Sequence, residues 1–179
     1  MKLFIASDLH GSAYYTAMML EAYKKSGADR LVLLGDILYH GPRNDLPKDY
    51  SPKTVASLLN SHADKIISVR GNCEAEVDSL LLDFSVESNY CVIFDDINTL
   101  YLSHGHRDVP KMPSDHTYYL TGHTHIPHDY TENGIHFLNP GSVSIPKNNS
   151  PHSALIYENG NFSWLDIESE NEYIPQKMR

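Results

Sequence analysis

The segment Lys2-Leu-Phe-Ile-Ala-Ser-Asp-Leu-His10 decides the fold. Its apolar run from Lys2 to Ser7 reads as a strand, and two residue types suited to metal or proton chemistry, Asp8 and His10, follow at once. Ser12 then caps a helix carrying Met18, Met19, Leu20 and Tyr23, which stops at Gly27. The unit repeats downstream. Leu31 to Leu34 reads as a buried strand, Ser51-Pro52 opens a helix over Val55, Leu58 and Leu59, and Lys65 to Val69 is a third strand. A further helix is expected through Leu80 to Leu82. Strand, helix and strand in alternation predict a half with parallel strands.

The second half is strand-rich. Strands are expected over Tyr90 to Phe94, Thr99 to Ser103, Tyr118 to Thr121, Ile135 to Leu138, Ala154 to Tyr157 and Phe162 to Ile167. Asp95-Asp96, Glu132-Asn-Gly134 and Glu158-Asn-Gly160 supply turns between them. A mixed α/β sandwich follows, with the polar tail after Glu168 expected to fray.

The chain has 179 residues, enough for one domain with a solid core. Lys and Arg number 14 against 23 Asp and Glu, for a formal charge of −9, which argues against a protein built to hold duplex DNA or anionic membrane. Cys73 and Cys91 are too few for a disulfide framework, and the apolar start is too short for a signal peptide. No segment approaches the roughly 20 apolar residues of a membrane span. The expected setting is cytoplasmic, without a stable nucleic-acid or membrane partner.

The chemistry collects where strands end. Asp8 and His10 follow the first strand, Asp36 the second, Asn72 the third, His104 the strand ending at Ser103, and His123 with His125 the strand ending at Thr121. Ligands of open α/β sheets gather at such carboxyl ends. In an extended segment, residues i and i+2 point the same way, about 6.6 Å apart at ~3.3 Å per residue, so Asp8 with His10 and His123 with His125 are expected to share one cavity. Singly, each has a plainer reading, as a helix cap, a turn residue or a surface imidazole. His40, His62, His106, His116, His128, His136 and His152 read mostly as surface residues. Recurrence at five successive strand ends, beside Gly35, Gly71, Gly105 and Gly122, lifts the set above that reading.

Asp8-Leu-His10, Gly35-Asp36, Gly71-Asn72, His104-Gly-His106 and Gly122-His-Thr-His125 resemble, in order, the signature of the calcineurin-like metallophosphoesterases. Asp36-Ile-Leu-Tyr-His-Gly-Pro-Arg-Asn44, Gly71-Asn-Cys73 and Asn139-Pro-Gly-Ser-Val-Ser-Ile-Pro-Lys147 are similar to the small bacterial phosphodiesterases of the YfcE type. The resemblance implies a four-layer αββα sandwich and a binuclear centre. One metal would be held by Asp8, His10, Asp36 and His125, the other by Asp36, Asn72, His104 and His123, with Asp36 as the bridge. Carboxylate, imidazole and carboxamide suit Mn²⁺, Fe²⁺ or Zn²⁺, and the resemblance favours Mn²⁺. Two such ions about 3.5–4 Å apart ionise a shared water and neutralise charge in an in-line displacement.

Cys73 departs from the pattern, since many members of that superfamily carry Gly-Asn-His there, with a histidine placed to protonate the leaving oxygen. A thiol with reference pKa near 8.5 is a poor substitute. Three readings stay open for Cys73: a small residue shaping the pocket, a substrate contact, or a metal ligand. His106 can take the acid role or merely orient a ligand. Arg43 and Asn44 sit in a polar loop, where they reach a phosphate or only solvent. Asn139-Pro-Gly-Ser142 reads as a tight turn beneath the site. The leading expectation is a phosphoric diester hydrolase acting on small diesters; a phosphomonoesterase on the same metals is the second. A scaffold module, as a retromer subunit of similar fold is, comes third. Dimer and tetramer are both open for its assembly.

Overall fold

Alternation along β1 (Lys2–Ala6) sends its apolar side chains into two different layers. Phe4 and Ala6 join a cluster with Met19, Leu20, Val55 and Leu59, whereas Leu3 and Ile5 join Val32, Leu34, Leu100, Leu102, Leu120 and Leu138. A strand packed on both faces has no polar side to show, which is why this stretch carries an unbroken apolar run. Burying each of the Leu, Ile, Val, Phe and Met side chains among them stabilises the fold by about 1.5–3 kcal/mol. The computed structural model describes residues 1–96, 98–108 and 110–175.

The helices are α1 (Ala13–Ser26) and α2 (Pro52–Asn60). Ser12 accepts the Tyr15 N–H at its start and Gly27 closes α1 at φ 68°, where a side chain would be strained. They connect β1 to β2 (Arg30–Leu33) and β2 to β3 (Ile66–Ser68), all parallel. The second half supplies β4 (Tyr90–Asp95), β5 (Asn98–Ser103), β6 (Thr117–Leu120), β7 (His128–Glu132), β8 (Ile135–Asn139), β9 (Ser153–Glu158), β10 (Asn161–Asp166) and β11 (Glu172–Tyr173). One sheet runs β11-β10-β9-β1-β2-β3 and the other β4-β5-β6-β8-β7. The apolar faces of the two sheets meet in the second cluster.

Helices cover the outer face of the first sheet. Parallel neighbours β5 and β6 require a crossover, and among the described residues the segment 104–116 that makes it contains no helix. Among the described residues, both α-helices lie in the first half of the chain.

Three local expectations need correction. Instead of a helix through Leu80 to Leu82, a five-residue 3₁₀ turn spans Glu76–Leu80, because the Asp78 side chain folds back to accept the Ala75 N–H and Leu80 stays 83% exposed. Strand β7 was not anticipated; its Asp129-to-Glu132 stretch is exposed and its pattern too polar to stand out. The segment after Glu168 does not simply fray, for β11 pairs with β10 and Tyr173 packs against the inter-sheet cluster. Residues 176–179 of that tail lie outside the described residues.

Candidate metal centre

The turns at the strand ends are bonded to each other before any side chain enters. Asp8 N–H donates to Gly35 O at 3.1 Å and His10 N–H to Asp36 O at 2.9 Å, joining the loops after β1 and β2. Gly122 N–H donates to His104 O at 3.0 Å, joining those after β6 and β5. The loop after β8 closes from below: Ser142 and Ser144 hydroxyls donate to Asp8 O at 2.8 and 3.1 Å, and the Asn139 amide donates to Gly122 O at 2.7 Å. A Cβ on Gly71 would stand 2.2 Å from Asp36 Oδ1, and one on Gly122 1.8 Å from Ser7 Oγ, so only glycine fits at either place.

The extended geometry expected for Asp8-Leu-His10 and His123-Thr-His125 is not what aims these side chains. β1 ends at Ala6 and β6 at Leu120, and Asp8, His10, Asp36, His123 and His125 all adopt left-handed backbone, with φ of 57, 45, 54, 66 and 61°. Such residues cost about 1 kcal/mol or more each, and five of them together approach the ~5–15 kcal/mol net stability of a domain. They persist because the cross-loop hydrogen bonds over-determine them. Concentrated backbone strain of this kind marks functional sites.

Three imidazoles share one orientation. Nδ1 of His10, His104 and His125 donates to Tyr39 O, Leu34 O and Ile145 O at 2.9, 2.7 and 2.7 Å. A carbonyl only accepts, so in each neutral ring the proton is on Nδ1 and the Nε2 lone pair faces inward. His10 Nε2 and His125 Nε2 lie 3.1 Å apart, and His104 Nε2 lies 3.1 Å from Asn72 Oδ1. Acceptor then faces acceptor at both places, an arrangement a cation between them relieves. Asp8 Oδ1, 0% exposed with its residue, has no hydrogen-bond partner and sits 3.3 Å from His125 Nε2; its other oxygen takes the His123 N–H at 2.9 Å. Asp36 spans the two groups, with Oδ2 3.6 Å from His10 Nε2 and Oδ1 3.4 Å from His104 Nε2.

Ligand atoms of Asp8, His10 and His125 lie within 4.8 Å of one another, as do those of Asp8, Asp36 and His104, and of His10, Asp36 and Cys73. These residues fit divalent metal. His123 stands outside those groups, with its ring 5.0 Å from that of His104. Burial raises the Asp8 carboxyl, but the His10 and His125 rings close against it and the charge of His104 outweigh that effect and hold the group well below the usual carboxylate range. Burial likewise opposes charge on His104; the adjoining Asp36 carboxylate and the charge of Asp8 prevail and raise it to about 9.

Cys73 is half-buried at the edge of the cluster. Its N–H donates to Asp36 Oδ1 at 2.9 Å and its sulfur accepts from Asn72 Nδ2 at 3.2 Å. Burial first, then the Asp36 charge, pushes the thiol up, away from thiolate chemistry. Arg43, Asn44, Asn72 and Cys73 all line a cleft of about 400 Å³ that reaches Asp36, His123 and His125. The Asn44 amide donates to His40 O at 2.8 Å and so also shapes its own loop. His106 is not among the residues lining this cleft; its ring lies 5.4 Å from His104 and 6.1 Å from His123, with Nδ1 buried and unpartnered. Burial and the positive charge of His104 lower its pKa. The surface reading fails for His128, which is 7% exposed and lowered to about 4 by burial.

Two contributors escaped the sequence. Glu74, 7% exposed, accepts the Asp36 N–H at 3.1 Å, the Ile37 N–H at 2.6 Å and the Gly71 N–H, locking the bridge loop to the Asn72 loop. Burial and the Asp36 charge raise it to about 7. Nothing in Cys73-Glu74 distinguishes that glutamate from a surface one. Lys147, the second, lines the cleft.

A two-sheet sandwich with a carboxylate and imidazole cradle at its strand ends defines the class of calcineurin-like phosphoesterases. The model of the calcineurin-like phosphoesterase superfamily domain matches residues 1–161, and the chain belongs to that family. It is 42% identical over 174 residues to the phosphodiesterase YfcE of Escherichia coli K12, covering 96% of this chain and 95% of the relative. The solved YfcE phosphoesterase of E. coli superposes with TM-score 0.93 at 40% identity, covering 97% of each chain. Lower likeness extends to an archaeal phosphodiesterase, at TM-score 0.62 and 17% identity over 97% of this chain and 98% of that one. A zinc complex of Vps29 from Entamoeba histolytica follows at 0.63 and 17%, over 97% and 96%. Those last two matches speak for the fold alone.

Proposed function

We propose that this chain hydrolyses small phosphate diesters on a binuclear metal centre. The observation that carries the reading is the inward convergence of the His10, His104 and His125 lone pairs on Asp36 and the unpartnered Asp8 oxygen. Asp8, His10, Asp36 and His125 would hold one ion, and Asp36, Asn72, His104 and His123 the other. Two divalent ions, Mn²⁺ before Fe²⁺ or Zn²⁺, supply an acidified water and charge for the phosphoryl oxygens when bound.

The protein residues do the rest. Backbone carbonyls of Tyr39, Leu34 and Ile145 fix three imidazoles in the ligating tautomer, and Glu74 fixes the Asp36 loop. Arg43 reaches the phosphoryl group from its loop. Cys73 shapes the floor beside Asp36 and brings no proton to the leaving oxygen, which favours substrates whose alcohol leaves without help. A diester carries one charge and two ester groups, and the E. coli relative bears the name phosphodiesterase. Among the described residues no helix is long and apolar enough to cross a membrane, and both cysteines are free, which supports a reducing, cytoplasmic setting.

The test is turnover of bis(4-nitrophenyl) phosphate against 4-nitrophenyl phosphate on metal-loaded protein. Faster hydrolysis of the diester is expected. Preference for the monoester would replace this reading by the monoesterase.

A further inference from the structure

From the cations of the cleft we infer that Lys147 is a specificity-determining residue, reading a second anionic group on the retained alcohol of the diester. The inference rests on the reaction proposed above and names its substrate class more closely.

Lys147 is exposed, with its backbone held in place. Ser150 N–H donates to Lys147 O at 3.1 Å, and Asn148 and Asn149 both have φ 56°, the left-handed pair of a type I′ turn. The Lys147 N–H donates to His125 O at 3.1 Å, which bolts that turn to a candidate ligand. Lys147 and Arg43 are the two cations lining the cleft, whereas the ion pairs of the described residues engage Lys2, Lys24, Lys25 and Arg70 instead. In a chain of formal charge −9, two cations beside the one carboxylate of Asp36 among the residues lining a cleft are a local excess.

Charge balance says what they are for. The positive charge of two divalent ions would be matched by the Asp8 and Asp36 carboxylates, a hydroxide nucleophile and the single charge of a diester. Glu74 spends its oxygens on three backbone N–H groups and is not among the residues lining the cleft. Attack moves the charge of the hydroxide onto the phosphoryl oxygens without adding to it, and Arg43 follows it there through the fixed fork of its guanidinium. Lys147 is then left over unless the substrate brings a further negative charge. A neutral alkyl or aryl substituent brings none; a carboxylate or phosphate on the retained alcohol does.

Two matched esters test this: 3-carboxypropyl 4-nitrophenyl phosphate and its primary amide, which keeps the size and removes the charge. The non-hydrolysed probes 4-phosphonobutanoate and its amide are titrated calorimetrically into metal-depleted and metal-loaded protein. The unaltered chain is expected to show a KM about fivefold lower for the acid ester, the scale of one partly exposed charge pair, with a similar gap in phosphonate affinity. Lys147→Gln should close both gaps by weakening the acid more than the amide, and Lys147→Arg should keep them. Equal constants for acid and amide in the unaltered chain, or equal losses on both in Lys147→Gln, would overturn the assignment while diester hydrolysis itself stood. If neither ester turned over yet the phosphonate gap persisted and depended on Lys147, the proposed reaction would fall and the anion-reading role would stand.

Discussion

The cradle beneath the cleft and the rim above it differ in how their side chains are held. In the cradle, Asp8, His10, His104 and His125 are at most 3% exposed, and each makes a hydrogen bond to backbone from a neighbouring loop. On the rim, Arg43 and Lys147 are exposed, and only their backbones are fixed. The cradle sets geometry in advance, which is what a metal centre demands of ligands that must be right before the ion arrives. The rim leaves long side chains free to meet substrates of differing shape. Substitutions should therefore have steep effects below and shallow ones above.

The largest effect is expected at the bridge. Asp36→Asn should lower turnover about a hundredfold or more, since even residues one bond removed from a metal often cost 10–100-fold. Asp45→Asn, in the exposed loop above, should change it by less than about twofold, as surface substitutions do. Steady-state turnover of one aryl diester on both variants, with metal content checked, makes the comparison. Equal losses would abolish the contrast between cradle and rim.

A smaller effect sharpens the boundary, because Cys73 belongs to both regions: its backbone holds Asp36 and its sulfur borders the cleft. Cys73→Ser should cost about threefold and leave metal content unchanged, whereas Cys73→His should raise rates on poor leaving groups about tenfold, toward the scale of general-acid catalysis. The readout is a series of aryl and alkyl phosphate esters. Loss of bound metal in Cys73→Ser would make the thiol a ligand, and a flat dependence on leaving-group pKa in the unaltered chain would remove the case for a missing acid.

The same contrast explains what was legible in the sequence. Cradle residues are polar groups forced to strand ends and flanked by glycines that permit close approach, so Asp8, Asp36 and Asn72 stand out beside Gly35 and Gly71. The strands themselves follow from runs such as Leu3 to Ala6, whose burial on both faces leaves a continuous apolar signal. The orientation mechanism was not legible: extended geometry was expected for Asp8 and His10, yet left-handed turns, imposed by hydrogen bonds from distant Ser142 and Ser144, aim them. Glu74 was hidden for a similar reason, since its role exists only when loops after β2 and β3 meet. Lys147 was written inside a recognised motif, but its place over the cleft depends on a turn hung from His125.

The central claim is that the cradle holds two divalent ions on which hydrolysis depends. Its most direct measurement is a calorimetric Mn²⁺ titration of chelator-stripped protein, followed by elemental analysis and diester turnover on the same sample. The account predicts two ions bound per chain, near-zero turnover before addition, and recovery by Mn²⁺ that Mg²⁺ does not match, because Mg²⁺ prefers oxygen ligands and retains its waters. Full turnover in excess chelator, or a single ion bound at full activity, would contradict it.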